Sequence, residues 1–250
     1  MYPLISIIGV KGIGEVRKGE KLGFLINDAL NKQGIKMMNN DIIVVTSKVV
    51  SKAENMLISL NTVTPSKFAT NISKMLKKDP RFVEAILNES KRIVRISNAV
   101  IITQTKHGYI CANSGIDQSN IKKDHIALLP VNPDRSATQI SAQIKSKTGQ
   151  NVAVIISDTF GRPWRHGQVQ FAIGIAGILP TIDYRGKNDR YGNELKVTEI
   201  AIVDEIASAA ELVLGKLNDC PAALIRGFKY NFEAGFAKSL VRSSREDLFK

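Results

Sequence analysis

The chain has 250 residues, 44% hydrophobic and 6% aromatic, which is enough to bury one large domain or two interlocked lobes. Lys and Arg number 35 against 23 Asp and Glu, a formal charge of +12 that favours anionic partners: nucleic acid, a multiply charged small substrate such as a nucleotide, or only a solvated lysine-rich surface. Apolar runs stay far below the roughly 18 residues of a membrane span. The N-terminus lacks the basic region and cleavage site of a signal peptide, and Cys111 and Cys220, in no Cys-x-x-Cys pair, suggest reduced thiols in a cytoplasmic protein. His107, His125 and His166 are scattered without metal-binding spacing, which argues against a histidine zinc site.

Leu4 to Val10 reads as a first strand running into Gly9-Val10-Lys11-Gly12-Ile13-Gly14, which is neither a Walker A loop nor a clean Gly-x-Gly-x-x-Gly motif. Its glycines would let backbone amides approach a ligand, or simply make a turn. Glu20 to Lys32 carries a helical stripe of Leu22, Leu25, Ile26, Ala29 and Leu30, closed by Gly34. Asp41 to Val50 reads as a buried strand with Thr46-Ser47-Lys48 towards its end and Ser51-Lys52 four residues on. The two Ser-Lys pairs suit phosphate contacts, a serine–lysine hydrolase or plain solvation. Thr64-Pro65 and Asp79-Pro80 each look like a helix cap followed by proline at the first position.

Ala99 to Thr105 and Tyr109 to Ala112 predict a hairpin about Lys106-His107-Gly108, running into the polar loop Asn113 to Asn120. A helix is expected from about Ser136 to Lys147, stopped by Gly149. Val152 to Ile156 then form a short β-branched strand, with Ser157-Asp158-Thr159 at its end and Gly161 and Pro163 breaking it. A carboxylate and hydroxyls at a strand mouth, followed by Arg162 and Arg165, would suit a divalent cation and an anion, or be an ordinary turn with solvated arginines. Asp117 in the earlier loop offers a second carboxylate for a shared ion. The glycines of Phe171 to Ile178 suggest close packing. Asp183 to Arg190 form a charged loop, read as a substrate lid or as exposed chain. Thr198 is read as the cap of a helix that ends at Gly215, and Ala222 to Arg226 as a last strand.

Several of these segments together, Val45 to Glu54, Asn113 to Asn120, Ser157 to Arg165, Ala172-Ile173-Gly174, Asp183-Tyr184 with Gly186, and Glu194-Leu195 through Val203-Asp204-Glu205-Ile206-Ala207, resemble the coenzyme F420-0:γ-glutamyl ligase family, in order and over nearly the whole chain. The resemblance implies an α+β fold of two interlocked lobes in an intertwined homodimer, here as a single ligase domain over 1–250 with no nitroreductase-like domain following. It implies a GTP-dependent amide ligase that joins L-glutamate to the lactyl carboxylate of the deazaflavin F420-0, then adds γ-linked glutamate, through an acyl phosphate. Two divalent ions, Mg²⁺ or Mn²⁺, and K⁺ would assist. Asp117, Asp158 and Thr159 fall at the family's metal ligands. Gly12, Ile13, Gly14, Glu15, Thr46, Ser47, Lys52 and Asn120 fall at its nucleotide contacts, and Gly215, Lys216, Leu217, Asn218 and Asp219 at a second nucleotide loop. Asp158, Asp117 and Lys52 would carry catalysis, while Arg162 and Arg165 would meet substrate anions. Two readings compete: a ligase of the same fold acting on another carboxylate, and a basic RNA-binding protein. The chain lacks an RNP-type aromatic motif, a KH loop and a helix-turn-helix signature, so nucleic acid and membrane are not the expected partners.

Overall fold

The computed structural model describes residues 3–97, 100–243 and 245–247. Among them the chain forms twelve strands and six α-helices, a mixed α and β architecture. In order these are β1 (Ser6–Val10), α1 (Leu22–Lys32), β2 (Ile42–Thr46), α2 (Ser47–Ala53), β3 (Leu57–Ser59), α3 (Lys67–Leu76), α4 (Pro80–Asn88), β4 (Ser90–Ser97), β5 (Val100–Thr105) and β6 (Ile110–Ala112). They continue as β7 (His125–Ala127), α5 (Pro133–Thr148), β8 (Ala153–Arg162), β9 (Arg165–Ala176), β10 (Ile182–Asp183), β11 (Glu199–Ile200), α6 (Ile202–Leu214) and β12 (Ala222–Arg226).

The central sheet has the order β1-β12-β2-β8-β9, with β2 and β8 parallel and the other pairs antiparallel. Its middle strands are apolar on both faces because both faces are covered. Ile43, Val45, Val154, Ile156 and Leu224 join α1 and α5 in one cluster, while the alternate residues Ile42, Val44, Ile155, Ala223 and Ile225 join α6 in another. Each fully buried Ile or Val here contributes about 1.5–3 kcal/mol through burial. A third cluster, including Leu60, Ile72, Phe82, Ile86, Ile101 and Ile126, gathers α3 and α4 against β5 and the small β3–β7 ladder.

The structure redraws several boundaries. The expected strand to Val50 stops at Thr46, because Ser47, Val50 and Ser51 turn inward at helical spacing as α2. Helix α3 is capped by Ser66, whose hydroxyl accepts from Ala69 N at 3.1 Å, so Thr64 and Pro65 lie outside it. Asp79 caps α4 with Pro80 first, as expected. Helix α5 begins at Pro133, since Asn132 accepts from Arg135 N at 3.1 Å, and Gly149 ends it in a left-handed conformation. Strand β8 does not break at Gly161: pairing with β9 carries it to Arg162, and only Pro163-Trp164 turn the chain. Thr198 is not the cap of α6; Glu199 and Ile200 are extended against β10, and Asp204 and Glu205 supply the acidic first turn. Ala99, expected to open β5, lies outside the described residues.

Candidate active site

The parallel pairing of β2 and β8 puts Thr46 opposite Ser157, so both strands deliver polar residues at the same edge of the sheet. Carboxyl ends of parallel strands are where open sheets hold ligands, because side chains from separate loops converge there. Ser47, the first residue of α2, donates its hydroxyl to Asp158 Oδ1 at 2.7 Å. The loop after β6 brings Asp117 nearby, fixed by a bridge to Ala127 and by Ser119 N donating to Asp117 Oδ1 at 2.7 Å. Lys48 Nζ sits 2.8 Å from Asp117 Oδ2 and 2.8 Å from Ser119 Oγ. On the other side of Asp158, Thr159 Oγ1 accepts from Lys216 Nζ at 2.6 Å and from Gln170 Nε2 at 3.0 Å. Gln170 also donates to Glu211 Oε2 at 2.7 Å.

These groups line one cleft of 910 Å³. Gly12 and Gly14, at φ of +82° and +73°, form part of its wall, and a Cβ added at either would meet nothing within 4 Å. Such an open glycine backbone can approach an anion closely. Lys52 reaches across to Glu15 Oε1 at 2.7 Å with its side chain mostly buried.

The two aspartates are held differently. Burial pushes the Asp158 carboxyl up to about 6, and the charge of Asp117 works the same way, against the Ser47 hydroxyl, the Thr159 backbone amide and Lys216. Burial also works to raise Asp117, but hydrogen bonds from Lys48 and Ser119 outweigh it and hold that carboxyl below its ordinary value. Among the described residues, Ser157 Oγ and Gln170 Oε1 are buried without a hydrogen-bond partner. Buried polar atoms ordinarily have one, so these two mark a place where a ligand would complete the bonding.

Of the residues singled out in the sequence, Gly12, Gly14, Glu15, Thr46, Ser47, Lys52, Asp117, Asn120, Asp158, Thr159, Gly215, Lys216, Leu217 and Asp219 all line this cleft. Four others stand apart. Ile13 packs on the core cluster beneath α1, and Asn218 donates to Val213 O at 3.4 Å beside the end of α6. Arg162 is turned to His166 O at 2.5 Å, and Arg165 is exposed where the β8–β9 hairpin turns. Conversely, Gln170 and Glu211 enter the site without having been marked. Gln168 and Gln170 alternate along β9, a polar signal just before its apolar stretch. Nothing distinguishes Glu211 from any solvent-facing residue of an amphipathic helix.

Among the described residues there is no group of three or more His, Cys, Asp or Glu suited to a metal ion. The cleft offers instead the Asp117 and Asp158 carboxylates, among five that line it, with the hydroxyls of Ser47, Ser157 and Thr159, an all-oxygen set interleaved with Lys48, Lys52 and Lys216.

A family model for F420-0:Gamma-glutamyl ligase matches residues 11–227. The chain is 43% identical over 249 residues to the coenzyme F420:L-glutamate ligase of Methanothermobacter thermautotrophicus, covering 98% of this chain and 99% of that protein. Against the protein of the same name from Methanocaldococcus jannaschii it is 46% identical over 213 residues, 85% of each chain. Against that of Methanopyrus kandleri it is 41% identical over 253 residues, covering 99% of this chain and 98% of the other.

Proposed function

The chain belongs to the F420-0:gamma-glutamyl ligase family, and from that premise we propose that it is a GTP-dependent ligase joining L-glutamate to coenzyme F420-0 and then adding γ-linked glutamate. A carboxylate is a poor acyl donor to an amine until one of its oxygens can leave. In this reading the terminal phosphoryl group of GTP passes to the acceptor's lactyl carboxylate, GDP departs, and an acyl phosphate forms. The glutamate nitrogen then attacks the acyl carbon; a C–N bond forms, the C–O bond breaks, phosphate leaves, and the amine proton passes to solvent. Such phosphoryl transfer rests mainly on positioning and charge neutralisation.

The observation that carries the reading is the meeting in one cleft of Asp158 from β8, Lys48 and Lys52 from α2, Asp117 from the loop after β6 and Lys216 from the loop after α6, with Ser47 bonded to Asp158 at 2.7 Å. Lys52 and the backbone of Gly12 to Glu15, with Thr46, Ser47, Asn120 and the Gly215 to Asp219 loop, would receive the nucleotide. Asp117, Asp158 and Thr159 would hold Mg²⁺ or Mn²⁺, two ions in all, with K⁺ as a further cation; hard oxygens and the unpartnered Ser157 hydroxyl suit such ions. When bound they would neutralise the phosphate charge. Lys48 and Lys216, which rest on Asp117 and Thr159, are the groups available to turn to phosphate oxygens. Arg162 and Arg165 do not line the cleft, although Gly161 beside Arg162 does, and their substrate role would need their side chains to turn towards it.

The reading includes two interlocked lobes, an intertwined homodimer and a cytoplasmic setting. Light scattering at low micromolar concentration should give twice the monomer mass, and a clean monomer would remove the dimer. The direct test is incubation with F420-0, glutamate, GTP and Mn²⁺, with products read by mass spectrometry. Glutamyl adducts are expected. GTP hydrolysis without an adduct would mean that the family fold here serves another carboxylate.

A further inference from the structure

A second cavity of 530 Å³ lies beside the cleft, within the roughly 300–1,000 Å³ range of small-molecule sites. One side of it is aromatic, and Arg92, Gln104, Asp204, Arg242 and Asp247 make the remainder partly polar. Tyr109, Phe160 and Phe171 stand in a row, with ring centroids 6.1 Å apart between the first two and 5.6 Å between the last two. Phe160 and Phe171 lie at 27° to one another while Tyr109 is tilted 51° from Phe160, so a layered Phe pair with a tilted Tyr beside it offers a face on which a flat ring can stack. Tyr109 is pinned by donating its hydroxyl to Ile173 O at 2.6 Å, which keeps its ring in place. The Asp204 carboxylate, anchored by Ala172 N at 2.8 Å, lines the same cavity and can accept from a ring N–H.

The cavity does not stand alone. Phe160 and Gly161 line both it and the cleft that holds Asp158. At Gly161 an added Cβ would meet nothing within 4 Å, so the strand is bare where the two spaces adjoin. A molecule with a planar ring at one end and an acidic tail at the other could therefore lie across β8, its ring in one space and its acid in the other.

We propose that this aromatic cavity holds the planar heteroaromatic half of the acceptor, and that Gly161 is the saddle over which its anionic tail passes to the Asp117–Asp158 edge. The proposal rests on the ligase reading for the identity of the acceptor, while the cavity and its junction with the cleft stand independently.

The test uses a 5-deazaflavin riboside lacking the phospholactyl tail, alongside complete F420-0, with ring fluorescence as the binding signal. Two variants probe the cavity: Ile110→Glu, at a half-exposed position lining only this cavity, and Gly161→Leu, at the saddle. The riboside should bind the wild type without competing with GTP. It should lose roughly tenfold or more in Ile110→Glu, where a carboxylate replaces an apolar side chain of the lining, with GTP affinity unchanged. Gly161→Leu should raise the KM for complete F420-0 by a similar factor. Equal affinity in wild type and variants, or displacement of the riboside by GTP, overturns the proposal. Cavity-dependent riboside binding with no glutamyl adduct from F420-0 would keep the cavity and reject the ligase reading. Adduct formation with no riboside binding would do the reverse.

Discussion

Asp158 concentrates the chemistry of the cleft in one side chain, half-buried, bonded to Ser47 and facing the charge of Asp117. Replacing either carboxylate by its amide preserves shape and removes charge. Asp158→Asn and Asp117→Asn should fold normally yet lose metal-dependent GTP binding, with turnover down on the order of a hundredfold or more. Calorimetric titration with and without Mn²⁺ decides it, and normal GTP affinity in a folded variant would reduce that aspartate to a turn residue. A second consequence needs no nucleotide. The Asp158 carboxyl is raised from 3.8 to about 6 by burial, so folding favours its protonated form. Its favourable contribution is therefore full below pH 4 and is lost as the pH climbs through 6. In EDTA, Asp158→Asn should melt like the wild type near pH 4 and become the more stable protein above pH 6, by roughly 2 kcal/mol. A melting difference that stays flat across this range would show that the carboxylate is not strained by burial.

At the scale of elements, close backbone contact does what side chains cannot. A Cβ at Gly174 of β9 would stand 2.4 Å from Pro133 C and O, at the start of α5. Gly174→Ala should cost about 2–4 kcal/mol, since neither the strand nor the helix start can move aside; chemical denaturation measures it, and a loss under half a kilocalorie would mean that the helix gives way easily. Arg226, ending β12, grips the fully buried Asp41 with bonds of 2.8 and 2.7 Å. Arg226→Ala should cost about 3 kcal/mol by the same measurement, because it leaves that carboxylate with no ionic partner and only the bond from Met38 N at 2.8 Å; a loss under one kilocalorie would show that the backbone amide suffices.

Elements of this kind were legible unequally. Ile42 to Val45, Val152 to Ile156 and Ala222 to Ile225 announce themselves as unbroken apolar runs because the sheet buries both faces. Strand β4 does not, since Lys91, Arg92 and Arg95 interrupt it and only tertiary pairing with β5 makes it a strand. Val49 and Val50 look like strand residues by propensity, and the inward spacing of Ser47, Val50 and Ser51 overrides them. In the cleft, each loop was visible as a polar end to an apolar run. The bond from Ser47 to Asp158 was not, because the β2–β8 register creates it. Gln170 and Glu211 are joined only by the packing of β9 on α6, which no local pattern records.

For the whole molecule, the charge of +12 suits a cleft that would hold a nucleotide and an anionic acceptor, and steering of that kind weakens as salt rises. The order of the central sheet bears on how the protein is made. Strand β12, near the end of the chain, lies between β1 and β2, with Ser6 opposite Arg226 and Ile42 opposite Ile225. A ribosome releases β1 and β2 long before the strand that belongs between them. Until residue 226 emerges, two apolar edges stay open and the Gly215 to Asp219 loop has no anchor. Pairings this distant form slowly, and unpaired edges invite association with other chains. The nascent chain thus remains without a complete cleft, and most exposed to aggregation, until its last strand arrives.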